Sequence, residues 1–211
     1  MKDLRLMLHR ICTVALVFSA LLFTAPARAR AATTTLENLQ TAFNGESNAH
    51  NRYLLFAKQA DAEGYGQVAS LFRAAAQAEQ VHAGNHAQVI KKLGAEPAAK
   101  IDAVTVKSTR ENLQAAIAGE TYERDTMYPN FLKQARAEGN RDAIRTLNLA
   151  KLAEAEHAKL YRQAAQNLAS LKGSAAKEYF VCPTCGLTVS EVSFANCPSC
   201  FTYKEKFVRV A

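Results

Sequence analysis

Two copies of one short pattern, Glu-x-x-His, stand 75 residues apart: Glu79 to His82 and Glu154 to His157. Much of the chain around them repeats at the same offset. Residues 58–64 read KQADAEG, residues 133–139 read KQARAEG, and Tyr53 has its counterpart in Tyr128. A self-similar chain folds as two like units packed on each other. Both units are made of helix formers, since the stretch from Thr33 to about Lys172 is rich in Ala, Leu, Gln and Glu and poor in Pro.

The punctuation predicts four long helices. The first runs from about Thr35 to Glu63, with Thr34 or Thr35 as N-cap and Glu37 in its first turn, and Gly64 and Gly66 end it. The second runs from about Gln67 to Leu93 and is closed by Gly94 and Pro97. A connection that includes Ile101–Val106 leads to a third helix. It starts near Ser108 or Thr109, with Asn112 in an early turn, and runs to about Ala137. Gly139-Asn140 makes a tight turn into a fourth, from about Arg141 to Leu171. Short, long and short connections suit two helical hairpins joined by a crossover, an all-α four-helix bundle of the ferritin-like kind. One irregularity stands out. Gly45-Glu46 matches Gly119-Glu120 at an offset of 74, so one residue has been inserted between Glu120 and Tyr128. A single insertion in a helix is commonly absorbed as a π-bulge, often beside a functional site.

Each unit supplies one Glu on its first helix and a Glu and a His, three residues apart and so on one face, on its second. The bundle therefore brings Glu46, Glu79, His82, Glu120, Glu154 and His157 together. Four buried carboxylates repel one another and are costly to desolvate. Two divalent metals bridged by them remove both problems, and mixed oxygen and nitrogen donors suit iron or manganese better than zinc alone. A lone Glu-x-x-His would read as a surface acid and a packed histidine; two in register with two further Glu read as a dinuclear metal site. Glu123 shares the face of Glu120 but has no partner in the repeat, because Ala49 occupies the matching place. His50 and His86 lie one turn from Glu46 and His82 and read as packed histidines rather than ligands, and Glu156 reads as solvated. Tyr53 and Tyr128 are open between core tyrosines and hydrogen-bond donors to ligating carboxylates.

The composition changes at Gly173. Residues 173–178 read as a linker and 179–211 as a small aromatic-rich domain, too short to fold without a staple. Cys182-Pro-Thr-Cys185-Gly186 and Cys197-Pro-Ser-Cys200 supply it: two CxxC knuckles can wrap one tetrahedral metal, iron for electron transfer or zinc for structure. Two disulfides are the alternative in an exported protein. Export is what residues 1–31 suggest. Lys2, Arg5 and Arg10 precede an apolar run, Ile11–Phe23, short for a membrane span, and small-residue cleavage sites follow, with cleavage favoured after Ala29 or Ala31 and an uncleaved anchor as the alternative. Without that segment the net charge falls from +7 to +3, with no basic patch interleaved with aromatics, so nucleic acid is not an expected partner.

As a set, GESNAHNRY (45–53), AEQVH (78–82), AGETYERDTMYPNF (118–131), LAEAEH (152–157) and the two cysteine knuckles make the chain resemble the rubrerythrin family over about Leu36–Val210. The resemblance implies a ferritin-like di-iron bundle at 32–172 followed by a rubredoxin-like domain at 179–211. It implies that Glu79 and Glu154 bridge two irons, that Glu46 and Glu120 each ligate one, and that His157 holds the second. Glu123 and His82 would be alternative ligands of the first, exchanged with oxidation state, and Tyr53 and Tyr128 would hydrogen-bond the ligating carboxylates. The implied activity is reduction of hydrogen peroxide to water. Electrons would come from an unidentified donor through one iron held by Cys182, Cys185, Cys197 and Cys200, usually in the partner subunit of a homodimer. The alternative is a ferritin-type ferroxidase with structural zinc on the cysteines. Two departures bear on these expectations. Phe201 follows the second knuckle where the family has Gly, which predicts strain and a distorted knuckle. The secretory signal predicts an exported, periplasmic protein, free of the membrane after cleavage, where the family is mainly cytoplasmic.

Overall fold

The structure, a computed structural model, describes residues 33–211. The signal read at 1–31 lies outside the described residues. Helix α1 (Thr35–Ala62) pairs with α2 (Gly66–Lys92), and α3 (Thr109–Tyr122), continued by α4 (Tyr128–Ala137), pairs with α5 (Arg141–Gln166). Among the described residues, no helix is long and apolar enough to cross a membrane.

The helix ends follow local chemistry. Thr34 and Ser108 open α1 and α3 with capping boxes closed by Glu37 and Glu111, and Asn140 caps α5. Gly64, at φ +74, ends α1 in a left-handed turn. Gly66 does not share that task. It begins α2, and a Cβ there would meet the Ser174 carbonyl oxygen at 2.6 Å, so glycine is required by the close approach of the segment that follows the bundle. The fourth long helix stops at Gln166, five residues before Leu171. The Ser170 hydroxyl and the Ser170 and Leu171 N–H groups all bond to the Asn167 carbonyl, turning the chain down to Gly173 at φ +78.

The inserted residue is absorbed as the sequence predicts. Glu123–Met127 form one turn of π-helix between α3 and α4, and the Tyr128 N–H bonds to the Glu123 carbonyl, five residues back. Pro129 sits in the first turn of α4, where its missing N–H costs little. The crossover carries no regular structure. Amides on one face of α1 hold it: Gln40 donates to the Glu96 carbonyl, Asn44 accepts from the Lys100 N–H, and Asn48 accepts from the Asp102 N–H. The repeat also shows in two reciprocal clamps. Glu138, at the end of the second hairpin's first helix, accepts from the Thr35 N–H at 3.0 Å, and Glu63, its counterpart, accepts from the Thr109 N–H at 3.0 Å.

Two apolar layers fill the bundle. One gathers Tyr53, Phe56, Phe72 and Tyr161; the other gathers Leu39, Ile90, Tyr128, Leu132 and Leu147. Small residues line both layers, among them Ala57, Ala75 and Ala116 in the first and Ala42, Ala135 and Ala150 in the second. The acidic residues of the repeat lie between the layers, where the chain passes from one to the other on each helix.

Beyond the bundle, β1 (Tyr179–Val181) is the middle strand of a three-stranded antiparallel sheet, with β2 (Thr188–Val189) and β3 (Val208–Val210) on either side. Tyr179 and Val181 point into the bundle's core, so sheet and helices share one apolar interior.

Candidate metal centres

Glu46 on α1, Glu79 and His82 on α2, and Glu154 on α5 bring one donor atom each within 4.8 Å of one another, and so do Glu79, Glu120, Glu154 and His157. The two groups share Glu79 and Glu154. This is the arrangement the repeat predicts, with the two hairpins contributing matching ligands to one cage. The four carboxylates and His157 have no exposed surface and His82 has 1%.

The residues fit a pair of divalent cations, on grounds internal to the cage. Glu46 Oε2, Glu79 Oε1, Glu120 Oε2, both oxygens of Glu154 and His157 Nδ1 are buried without a hydrogen-bond partner. Unpartnered buried acceptors at this density are costly unless a cation satisfies them. The histidines are oriented from behind. His82 Nε2 lies 3.1 Å from the Cys185 carbonyl, which can only accept, so Nε2 carries the proton. His157 Nε2 lies 3.1 Å from Thr188 Oγ1, whose own proton goes to the Gly186 carbonyl. Each Nδ1 lone pair is thereby turned on the carboxylates, as a metal ligand's would be. Without a metal the charges must be balanced by protons. Burial, then Glu79 and Glu154, raises Glu120 to about 8, and burial, then Glu154 and Glu79, raises Glu46 well above its ordinary value. Burial opposes charge on both histidines, but the carboxylates outweigh it and raise both well above theirs.

Glu123 takes a different place. It belongs to neither group of four, and it is half-buried at the start of the π-helical turn. Burial, then the charges of Glu46 and Glu120, raises its carboxyl well above the ordinary range. The structure thus brings His82, not Glu123, into the cage. Tyr53 donates to Glu120 at 2.6 Å and Tyr128 donates to Glu46. These are matching bonds in the two halves and resolve the question the sequence leaves open for both tyrosines. His50 packs with Nδ1 2.7 Å from the Ala76 carbonyl, and Glu156 pairs with Lys159 at the surface.

The four cysteines form the second centre. Cys182 and Cys200 have their sulfurs 3.5 Å apart, and Cys185 and Cys197 3.6 Å apart. These are not disulfides. They approach the edges of a tetrahedron built on metal–sulfur bonds of about 2.3 Å, close to 3.8 Å. The expected distortion of the second knuckle is absent. Phe201 adopts φ +63 beside φ +76 for Gly186, and its N–H bonds to the Cys197 carbonyl at 2.9 Å, as that of Gly186 bonds to Cys182 at 2.9 Å. Backbone N–H groups of Thr184 and Cys185 reach the Cys182 sulfur, and those of Ser199 and Cys200 reach the Cys197 sulfur. The knuckle keeps its shape, and the strain stays on Phe201, a residue 76% exposed.

The two centres touch. Both cage imidazoles bond into the cysteine domain of the same chain, and Asn85 donates to the Thr184 carbonyl at 2.9 Å. A Cβ on Gly186 would overlap the His82 ring. The resemblance implies an electron route between subunits; here the cluster against the cage is the chain's own. Thr188, the Cys185 carbonyl and Gly186 are the site residues that the sequence reading passes over. Gly186 alone carried a signal, as the glycine after the first knuckle.

Comparison with known proteins agrees with this geometry. A family model described as Rubrerythrin matches residues 37–165. Rubrerythrin-2 of Clostridium acetobutylicum is 36% identical over 174 residues, covering 82% of this chain and 95% of that protein. Nigerythrin of Nitratidesulfovibrio vulgaris is 38% identical over 176 residues, covering 82% and 85%. A solved structure of fully reduced, all-ferrous nigerythrin superposes with a TM-score of 0.78 at 35% identity, covering 96% of this chain and 100% of that one. A bacterioferritin of Desulfovibrio desulfuricans, at 24% identity and a TM-score of 0.63, shares the bundle fold.

Proposed function

This chain belongs to the rubrerythrin family, with a di-iron cage and a four-cysteine cluster suited to one iron, and from that premise we propose that it reduces hydrogen peroxide to water. The observation that carries the reading is the contact of the two centres through His82 and Cys185. An iron-storing cage has no use for a thiolate cluster bonded to its ligand. Glu46, Glu79, His82, Glu120, Glu154 and His157 would hold a pair of irons, which when bound and reduced would supply both electrons for splitting an O–O bond, and the four cysteines would hold an iron suited to one-electron return.

The chain's own residues prepare that chemistry. The closed apolar layers exclude bulk water from the cage. Tyr53 and Tyr128 stay protonated, because burial and then the carboxylates beside them raise both phenols. Their hydrogen bonds fix the rotamers of Glu120 and Glu46. The π-helical turn presents Glu123 next to Glu46 and Glu120 without placing it among the ligands. Glu123 and His82 are the pair we assign to exchange at one iron. The electron donor docks on the cysteine domain, the active form is a homodimer, and the first 31 residues direct the chain to the periplasm; the sequence motifs and the family support these three parts of the reading.

The test is anaerobic reduction of the iron-loaded protein followed by hydrogen peroxide, with both iron chromophores followed in time. Reoxidation within seconds supports a peroxide reductase. Iron accumulation under air with inert thiolate colour supports the ferroxidase alternative instead. In the same assay Glu123→Ala should retain iron and slow turnover; loss of iron would make Glu123 a permanent ligand and refute the exchange.

A further inference from the structure

Reducing one peroxide to two waters consumes two protons with two electrons. The cage that would do this has no exposed carboxylate. A line of hydrogen-bonding groups nevertheless leads out of it. Tyr128 donates to Glu46. His86 Nε2 lies 3.2 Å from the Tyr128 oxygen, and His86 Nδ1 lies 3.0 Å from Thr146 Oγ1. His86 has no exposed surface, while Thr146 is 7% exposed and forms part of the wall of a surface cleft of about 240 Å³. Asn85, Gln88, Lys92, Asp142 and Arg145 give that cleft a polar lining.

The bonds have one consistent direction. Tyr128 has a single proton and donates it to Glu46, which would be ionised as a ligand in the metal-loaded cage, so the phenol oxygen must accept from His86 Nε2–H. Neutral imidazole then has a bare Nδ1, which accepts from the Thr146 hydroxyl. Every donor points inward, from cleft to cage.

The repeat provides a comparison inside the same molecule. At the repeat's offset of 75, His86 corresponds to Tyr161 and Thr146 to Leu71. Tyr161 is buried with no partner for its hydroxyl, and Leu71 is apolar. The Tyr53–Glu120 bond therefore has no continuation to the surface through these positions, whereas the Tyr128–Glu46 bond has one. The line reaches the group of four that contains His82, the side of the cage assigned to ligand exchange.

We propose that Thr146, His86 and Tyr128 form a proton relay from the surface cleft to Glu46, a role that rests on the peroxide-reductase reading above. One passage moves the Tyr128 proton to Glu46, the Nε2 proton of His86 to Tyr128, the Thr146 proton to His86 Nδ1, and a proton from cleft water to Thr146. The four O–H or N–H bonds broken equal the four formed, and no electron moves within the line. Glu46 is left protonated at the cage and gives that proton to a peroxide-derived oxygen, which becomes product water. His86 returns to its starting tautomer before the second passage.

The variants are Thr146→Val, close in shape but without the hydroxyl, and Thr146→Ser, which keeps it. In the reduced, iron-loaded protein Thr146→Val should slow reoxidation by peroxide by about 100-fold and raise the solvent deuterium isotope effect on that step. Thr146→Ser should restore both, and His86→Gly should be slow and recover on addition of imidazole. Nitrogen-15 NMR of the zinc-loaded protein supplies a readout independent of turnover: His86 should be the neutral Nε2–H tautomer. Wild-type reoxidation rates and isotope effects in Thr146→Val and His86→Gly at equal iron content overturn the relay, as does an Nδ1–H tautomer. Wild-type protein that peroxide does not reoxidise overturns the underlying reading, and is distinguished because it is seen before any variant is made.

Discussion

Gly186 meets two demands at once, and replacing it by alanine separates them. Its φ of +76 costs an L-residue about 1–2 kcal/mol. Alanine recovers about 0.4–1 kcal/mol of that by restricting the unfolded chain, so the backbone term alone leaves a net loss of about 0.5–1 kcal/mol. The second demand is space. The new Cβ would stand 2.7 Å from His82 Cδ2 and nearer still to Nε2, where real Cβ atoms almost never come within 3.0 Å. The ring has nowhere to retreat, because Nδ1 is 2.8 Å from Glu79 and 3.0 Å from Glu154. The knuckle must therefore lift, breaking the His82–Cys185 bond and leaving a buried donor and acceptor unpaired, at about 1–3 kcal/mol. The contact outweighs the backbone, and Gly186→Ala should cost about 1.5–4 kcal/mol in all. A double-mutant cycle with His82→Ala separates the two terms. It is measured by chemical denaturation with zinc on the cysteines and the cage metal-free, so that removing His82 costs no bound metal. In the His82→Ala background Gly186→Ala should cost only the backbone term, giving a coupling of about 1–3 kcal/mol. A coupling near zero would refute the docking of the knuckle on the chain's own cage.

Two further outcomes follow from the same geometry. Phe201→Gly should stabilise the cysteine domain by about 0.5–1 kcal/mol, since left-handed strain is relieved and little buried surface is lost; slower zinc release to a chelator would register it, and faster release would show that the ring contributes more than the strain costs. The metal-free protein should lose stability as pH rises from about 4.5 through 8, because burial raises Glu120 to about 8 and Glu46 and Glu123 well above 4.5, so that the fold holds protons the unfolded chain has released. His82 and His157 act in the same sense: against burial, the carboxylates raise them above 6.5, and their contribution, full below that value, fades as pH climbs. Thermal melts across this range should show the decline, and adding divalent iron anaerobically should abolish it; a metal-free protein equally stable at pH 5 and pH 8 contradicts the account.

Much of the cage is legible in the sequence because a repeat converts spacing into geometry. Once Glu79 and Glu154 occupy equivalent turns, Glu46 and Glu120 have to face them, and the offset change from 75 to 74 locates the π-helical turn to within a few residues. The same pattern says nothing about partners that the repeat does not share. Thr188 and the Cys185 carbonyl orient the histidines from a domain with its own sequence logic, and a backbone carbonyl leaves no residue signature at all. His86 reads as a packed histidine because its partners, Thr146 and Tyr128, lie 60 and 42 residues away. The last helix reads too long because Ala, Leu and Lys favour helix up to Lys172, while a serine hydroxyl and two amides on one carbonyl end it earlier. Phe201 reads as a distortion of its knuckle, yet two N–H···S bonds and the turn bond hold the backbone in the glycine conformation.

The clamps made by Glu63 and Glu138 tie the history of the chain to its assembly. The first helix of each hairpin ends on a carboxylate that holds an N–H at the start of the other hairpin, so a hairpin alone has one unheld N–H in its first turn and a carboxylate with nothing to hold. Two identical hairpins would close both gaps by exchange, giving a symmetric dimer with two equal cage halves. The crossover turns that dimer into one polypeptide, and only then can the halves diverge. A residue added beside Glu123, or a histidine bonded to a threonine where the repeat has a tyrosine and a leucine, is a change a true dimer would have to make twice. Fusion is what lets a two-fold cage acquire a front and a back.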